Sequence, residues 1–93
     1  MDSLKDTVKA MCSADYKERF KAEYAQTKIR YEKLKKFNDT IEAAERTKHN
    51  YNCALVPTPQ HDCPIELLRQ QQAAMGEYLH TLEVRAIIEQ IEL

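Results

Sequence analysis

The sequence predicts an all-α protein: a short N-terminal helix followed by a long antiparallel helical hairpin, assembling into a helical homo-oligomer. Three observations carry this expectation. The 93 residues include one Gly and three Pro, a composition suited to helix rather than to sheet or disorder. Apolar and aromatic residues recur at steps of three and four along two long segments, which is the helical period. A chain of this size hides little more than about 60% of the surface its unfolded form exposes, so a lone hairpin has a thin core and needs a further surface to pack on. The whole chain, residues 1–93, reads as a single helical domain.

The first element is a helix at about 3–11, capped by Asp2 or Ser3, in which Leu4, Val8 and Met11 form a short apolar stripe. A helix this short is unstable alone and must pack on something larger. Ser13 or Asp15 offers the next cap, and no Gly or Pro interrupts the sequence from there to about Thr47, so one long helix is expected over about 14–47. Phe20, Thr27, Leu34 and Ile41 recur every seven residues, with Tyr24, Tyr31 and Asn38 set between them, giving one seam that is aromatic and partly polar. At about 1.5 Å per residue such a helix is about 50 Å long, more than a compact monomer of this mass requires.

Residues 48–62 read as the connecting loop, because Pro57 and Pro59 bias their predecessors away from helix. Pro64 and Glu66 then mark the start of a last helix at about 64–92, with Pro64 at its first position. Its seam is Ile65, Leu68, Gln72, Met75, Leu79, Leu82 and Ala86, facing the long helix. Leu67, Ala74 and Tyr78 flank that seam on one side, a flank that Arg85 continues, while Val84, Ile87 and Ile91 flank it on the other. The apolar arc is therefore wider than one partner helix can cover, and the surplus calls for another subunit. Gly76 beside Ala73 and Ala74 leaves room for a second backbone or a ligand to approach.

Fourteen Lys and Arg balance fifteen Asp and Glu, so nothing in the overall charge calls for a nucleic-acid polymer or an anionic membrane as partner. No apolar run approaches the roughly 20 residues of a membrane span, and the first residues lack the order of a signal peptide, so a cytoplasmic protein with reduced cysteines is expected. His49, Cys53, His61 and Cys63 could in principle hold zinc, but His61 and Cys63 are separated by a single residue, closer than usual ligand pairs. They are read as ordinary loop residues, with no metal or other cofactor. No Gly-rich phosphate loop or nucleophile–base arrangement is present, and the carboxylates alternate with cations, as in Glu18 with Lys21 and Glu32 with Lys35 and Lys36, which argues against an enzyme. The run Lys28 to Lys36 crowds cations beside tyrosines. Repeated by symmetry around a cavity, such residues could pair phosphates and stack bases.

The order of short helix, long helix with Tyr31-Glu32-Lys33-Leu34, Pro-bearing loop, Cys63-Pro64-Ile65-Glu66-Leu67-Leu68, Ala74-Met75-Gly76-Glu77-Tyr78-Leu79 and Leu82-Glu83-Val84-Arg85-Ala86 resembles a group of small proteins of bacteriophages and prophages, crAss-like phages included. That group is similar in helical layout to the phage sponges that counter CBASS and Thoeris immunity. The resemblance implies a homo-oligomer, often a hexamer, acting in the host bacterial cytoplasm during infection. It further implies that cyclic di- or trinucleotides or cyclic ADP-ribose isomers are held at subunit interfaces and not cleaved. Carried over by position, the implied ligand contacts are Tyr16, Lys33 and Arg69, with Arg30 and Arg85 as additions. The longer loop with His49, Tyr51, Cys53 and His61 departs from the group's pattern. A different reading is a helical inhibitor or scaffold that lays its exposed seam on a partner protein.

Overall fold

The computed structural model describes residues 1–48 and 56–93, so His49, Tyr51 and Cys53 of the expected loop lie outside the described residues. All regular structure within them is helical. A 3₁₀ turn at Lys5–Thr7 runs into α1 (Val8–Met11), followed by α2 (Tyr16–Thr47) and α3 (Ile65–Glu89).

The N-terminal segment departs from its expected phase. Leu4 is 37% and Val8 59% exposed, whereas Thr7 is fully buried. The 3₁₀ turn rotates the side chains relative to an α-helix, and the Thr7 hydroxyl is satisfied by donating to the Leu4 carbonyl at 2.7 Å. The segment packs on the side of α2 away from the seam, where the small, fully buried Ala22 permits a close approach.

α2 begins at Tyr16 because Asp15 caps it, its carboxylate accepting the Lys17 amide at 3.1 Å. Every seam residue of α2 from Phe20 to Ile41, and every seam residue of α3 from Ile65 to Ala86, is buried or half-buried. Contacts between the two helices run in reverse order: Tyr16 meets Glu89, Tyr24 meets Glu83, and Asn38 meets Gln72. Phe20, Leu82, Ala86 and Ile91 form the core cluster, with Tyr24 packed against it.

Three details of α3 correct the sequence reading. Pro64 is the N-cap rather than the first helical residue, its carbonyl accepting the Leu68 amide at 3.2 Å. The helix stops at Glu89, short of residue 92, because Gln90 adopts a left-handed conformation, φ 57° and ψ 43°. The Ile91 amide then donates back to the Ala86 carbonyl at 2.8 Å and that of Gln90 to Ile87, closing a Schellman motif without glycine. This stop turns Ile91 inward, leaving it 6% exposed, so it belongs to the core rather than to the surplus flank. Gly76 does make room, but for the chain's own Tyr31, whose Cε1 would lie 3.2 Å from a Cβ added there.

Candidate functional site

Where the start of α2 meets the end of α3, three tyrosine hydroxyls bridge the helices to carboxylates. Tyr16 donates to Glu89 at 2.7 Å, Tyr24 to Glu83 at 2.6 Å, and Tyr78 to Glu23. A phenol giving its proton to a carboxylate resists ionisation. The bond to Glu83 pushes Tyr24 up to about 12, and those to Glu89 and Glu23 raise Tyr16 and Tyr78. Glu89 is correspondingly held below the ordinary carboxylate range, first by the Tyr16 bond and then by Arg85.

Arg85 sits at the centre of this end. Its Nε donates to Glu89 at 2.9 Å, its Nη2 to the Tyr16 hydroxyl, and its guanidinium lies 4.9 Å from the Phe20 ring centroid. Tyr16 meets the same Phe20 ring edge-on, with centroids 6.2 Å apart. Around them lies an open cleft of about 240 Å³ lined by Met11, Tyr16, Arg19, Phe20, Glu23 and Arg85. Arg19 leans into it from α2, anchored by one bond from Nη1 to the Ser13 carbonyl at 2.8 Å. Two guanidiniums beside the exposed Tyr16 ring, on a floor formed by the buried Phe20, can pair an anion and stack a planar group.

The five expected residues separate into three situations. Tyr16 and Arg85 are brought into contact. Arg30 and Lys33 are exposed and form no ion pair or hydrogen bond among the described residues. Tyr16, Glu23, Arg30 and Phe37 lie seven residues apart on α2, opposite Arg85, Tyr78 and Gln71 at the same interval on α3. Arg30 therefore continues, toward Gln71, the side of the helix pair that holds the cleft. Arg69 stands apart from these. Its guanidinium bonds Asp39 at 3.2 Å, Glu42 at 2.8 Å, Gln72 at 2.8 Å and the Asn38 carbonyl at 3.3 Å, tying α3 to the far half of α2.

Arg19, Phe20 and Met11 are cleft residues that the sequence reading did not single out as ligand contacts. Phe20 stood in it as a core seam position and Met11 in the apolar stripe of the first helix, and Arg19 was not named, so no pattern in the sequence distinguished them as ligand contacts. The surface pairing is in part as expected: Lys21 pairs with Glu18 at 3.9 Å, whereas Lys35 bonds Asp39 at 2.8 Å rather than Glu32. Cys12 and Cys63 are free and exposed. The His61 Nδ1–H donates to the Cys63 carbonyl at 2.6 Å, and its ring meets Phe37 edge-on. Among the described residues no group of three or more His, Cys, Asp or Glu is placed to hold a metal ion, and no helix is long and apolar enough to cross a membrane.

The described residues form a small helical protein, with arginines and aromatic rings around an open cleft between its elements. More narrowly, a protein-family model described as Sequestin matches residues 14–88, and the chain belongs to that family. This agrees with the resemblance to the phage sponges. Neither the curated proteins nor the solved structures offer a significant match.

Proposed function

We propose that this protein is a phage anti-defence sponge. It sequesters a cyclic nucleotide-type immune signal, a cyclic di- or trinucleotide or a cyclic ADP-ribose isomer, in the host bacterial cytoplasm. The unit is an antiparallel helical hairpin that associates with copies of itself, and the ligand leaves as it arrived. The observation that carries this reading is the meeting of Tyr16 and Arg85, far apart in the chain, in one cleft with Phe20 and Arg19. Membership of a family whose name denotes sequestration supports it.

Arg85 spends Nε on Glu89 and one Nη2 proton on Tyr16, so its Nη1 protons can still reach a phosphate. Arg19 supplies a second guanidinium across the cleft, and the exposed ring of Tyr16 supplies stacking surface, with the buried Phe20 ring as the floor under Arg85. Arg30 offers a further cation on the same side of the helix pair, for a ligand that reaches past one copy, and Lys33 an exposed ammonium elsewhere on α2. Arg69, committed to Asp39 and Glu42, serves the fold rather than the ligand. Sequestration needs affinity and copy number, not transition-state stabilisation, which suits a cleft of arginines, rings and one carboxylate.

Native mass spectrometry of protein purified from cells expressing a CBASS or Thoeris signal synthase tests this. The expected spectrum shows an oligomer carrying extra mass equal to intact nucleotides; protein carrying nothing, or carrying cleaved nucleotide, defeats the proposal. The exposure of Leu67, 52%, and Tyr78, 44%, favours one second reading, an inhibitor that docks this flank on a partner protein. On that reading, charged replacements of Leu67 and Tyr78 abolish partner capture.

A further inference from the structure

A cleft suited to an anion also contains a carboxylate that no cation bonds. Glu23 lines it beside Arg19 and Arg85, is half-buried, and forms no ion pair among the described residues. Its Oε2 accepts the Tyr78 hydroxyl, and its Oε1 has no partner among the described residues. Arg85 is raised first by its bond to Glu89, and the charge of Glu23 adds a smaller contribution, so the carboxylate lies near the guanidinium without bonding it. Glu23 follows Tyr16 by seven residues on α2, and Tyr78 precedes Arg85 by seven on α3. The cleft side of the helix pair therefore carries two rungs about 10 Å apart along the helices, one of Tyr16 with Arg85 and one of Glu23 with Tyr78. That spacing is comparable with the span from a nucleotide's phosphate to the far edge of its base.

A ligand that fills the cleft strips water from the free carboxylate oxygen, and it binds well only if it brings hydrogen-bond donors in exchange. A carboxylate accepts and does not donate. Among the common bases guanine alone presents two adjacent donors, N1–H and the N2 amine, on its pairing edge. Adenine and cytosine set a bare ring nitrogen beside their amine, and uracil flanks its N–H with carbonyls, so each turns a lone pair toward the carboxylate. From the placement of Glu23 and its bond to Tyr78, we infer that Glu23 reads the base and that the ligand carries guanine. The N1–H and N2 amine face the Glu23 carboxylate while the phosphate pairs Arg85 and Arg19. Tyr78 is a positioning residue: its hydroxyl fixes the carboxylate and leaves Oε1 to the base. The inference rests on the sequestration reading and narrows it, since cyclic ADP-ribose isomers carry adenine and fit this edge poorly.

Calorimetric titration with cyclic di-GMP, cyclic di-AMP and cyclic di-UMP tests this. Wild type is expected to bind the guanine ligand about tenfold or more tighter than either of the others. In Glu23→Gln the side-chain oxygen still accepts from Tyr78, but the amine in place of Oε1 donates where the carboxylate accepted. An acceptor beside a donor suits adenine and uracil, so the guanine preference should vanish or reverse, with cyclic di-AMP affinity kept or raised and the helical circular dichroism unchanged. Tyr78→Phe leaves the carboxylate in place but unheld and should cut the preference several-fold, which carries the test should Glu23→Gln fold poorly. Three outcomes overturn the inference and leave sequestration standing: equal affinity of wild type for the three ligands, tighter binding of an adenine or uracil ligand, cyclic ADP-ribose isomers included, or a guanine preference unchanged in either variant. Wild type that binds no nucleotide, cyclic trinucleotides included, overturns sequestration and the inference with it.

Discussion

At the end where Tyr16 meets Arg85, the space between α2 and α3 is filled by Phe20, Leu82, Ala86 and Ile91. At the end where Asn38 meets Arg69, it holds an amide and a guanidinium with their acceptors. Asn38 is fully buried, its Nδ2 donating to the Leu68 carbonyl at 3.1 Å and to Gln72 at 3.0 Å, while its Oδ1 has no partner among the described residues. Apolar packing is non-directional and supplies most of the stability. A buried amide supplies less, but only one register satisfies its donors. The cleft residues stand on the apolar end, where packing holds Phe20 and hence the surface under Arg85. Ligand contacts placed there begin from a rigid frame.

The comparison can be broken most forcefully at Leu82, which is 1% exposed. Leu82→Ala should cost about 2–5 kcal/mol by removing core atoms and leaving a cavity, and urea denaturation followed by circular dichroism measures it. High pH attacks the tyrosine bridges at the same end. Tyr24 ionises near 10 when unfolded but at about 12 in the fold, because its proton is held by Glu83. The stability from this bridge is therefore whole below pH 10 and is lost as pH rises through 12. Denaturation midpoints at pH 8, 10 and 11 should fall only over the last interval, and Tyr24→Phe should flatten that fall.

At the polar end, Asn38→Leu removes the unpartnered Oδ1, so stability should stay within about 1 kcal/mol of wild type or rise. The cost should appear as lost register, seen as broadened or doubled amide resonances for residues 66–74; sharp single resonances would show that Asn38 does not set the register. The smallest effect is expected at Gln90, whose left-handed backbone suits glycine. Gln90→Gly should raise stability by a few tenths to about 1 kcal/mol, read from the thermal midpoint.

Much of this fold was legible in the sequence because helical period is a strong signal. The seam residues named from spacing alone are all withdrawn from solvent. The end of α3 was not legible, since a Schellman stop usually announces itself with glycine and here uses Gln90. That one residue decides whether Ile91 faces solvent or core. Thr7 was missed for a related reason: a 3₁₀ turn changes which side of a short helix faces inward. Of the cleft, Tyr16 and Arg85 were reached only through resemblance. Their meeting depends on register between helices, which spacing within one helix cannot reveal. Arg19 carried no signal at all, because a helix-surface arginine beside a cleft reads like any other.

The most direct test of the account is isothermal titration calorimetry of wild type and Arg85→Ala against cyclic di- and trinucleotides and cyclic ADP-ribose isomers, with the ligand recovered and checked by chromatography. The account predicts that wild type binds at least one of them and returns it intact, and that Arg85→Ala binds it about tenfold or more weakly while keeping its helical spectrum. Binding of none, equal binding by both proteins, or recovery of a cleaved ligand would contradict it.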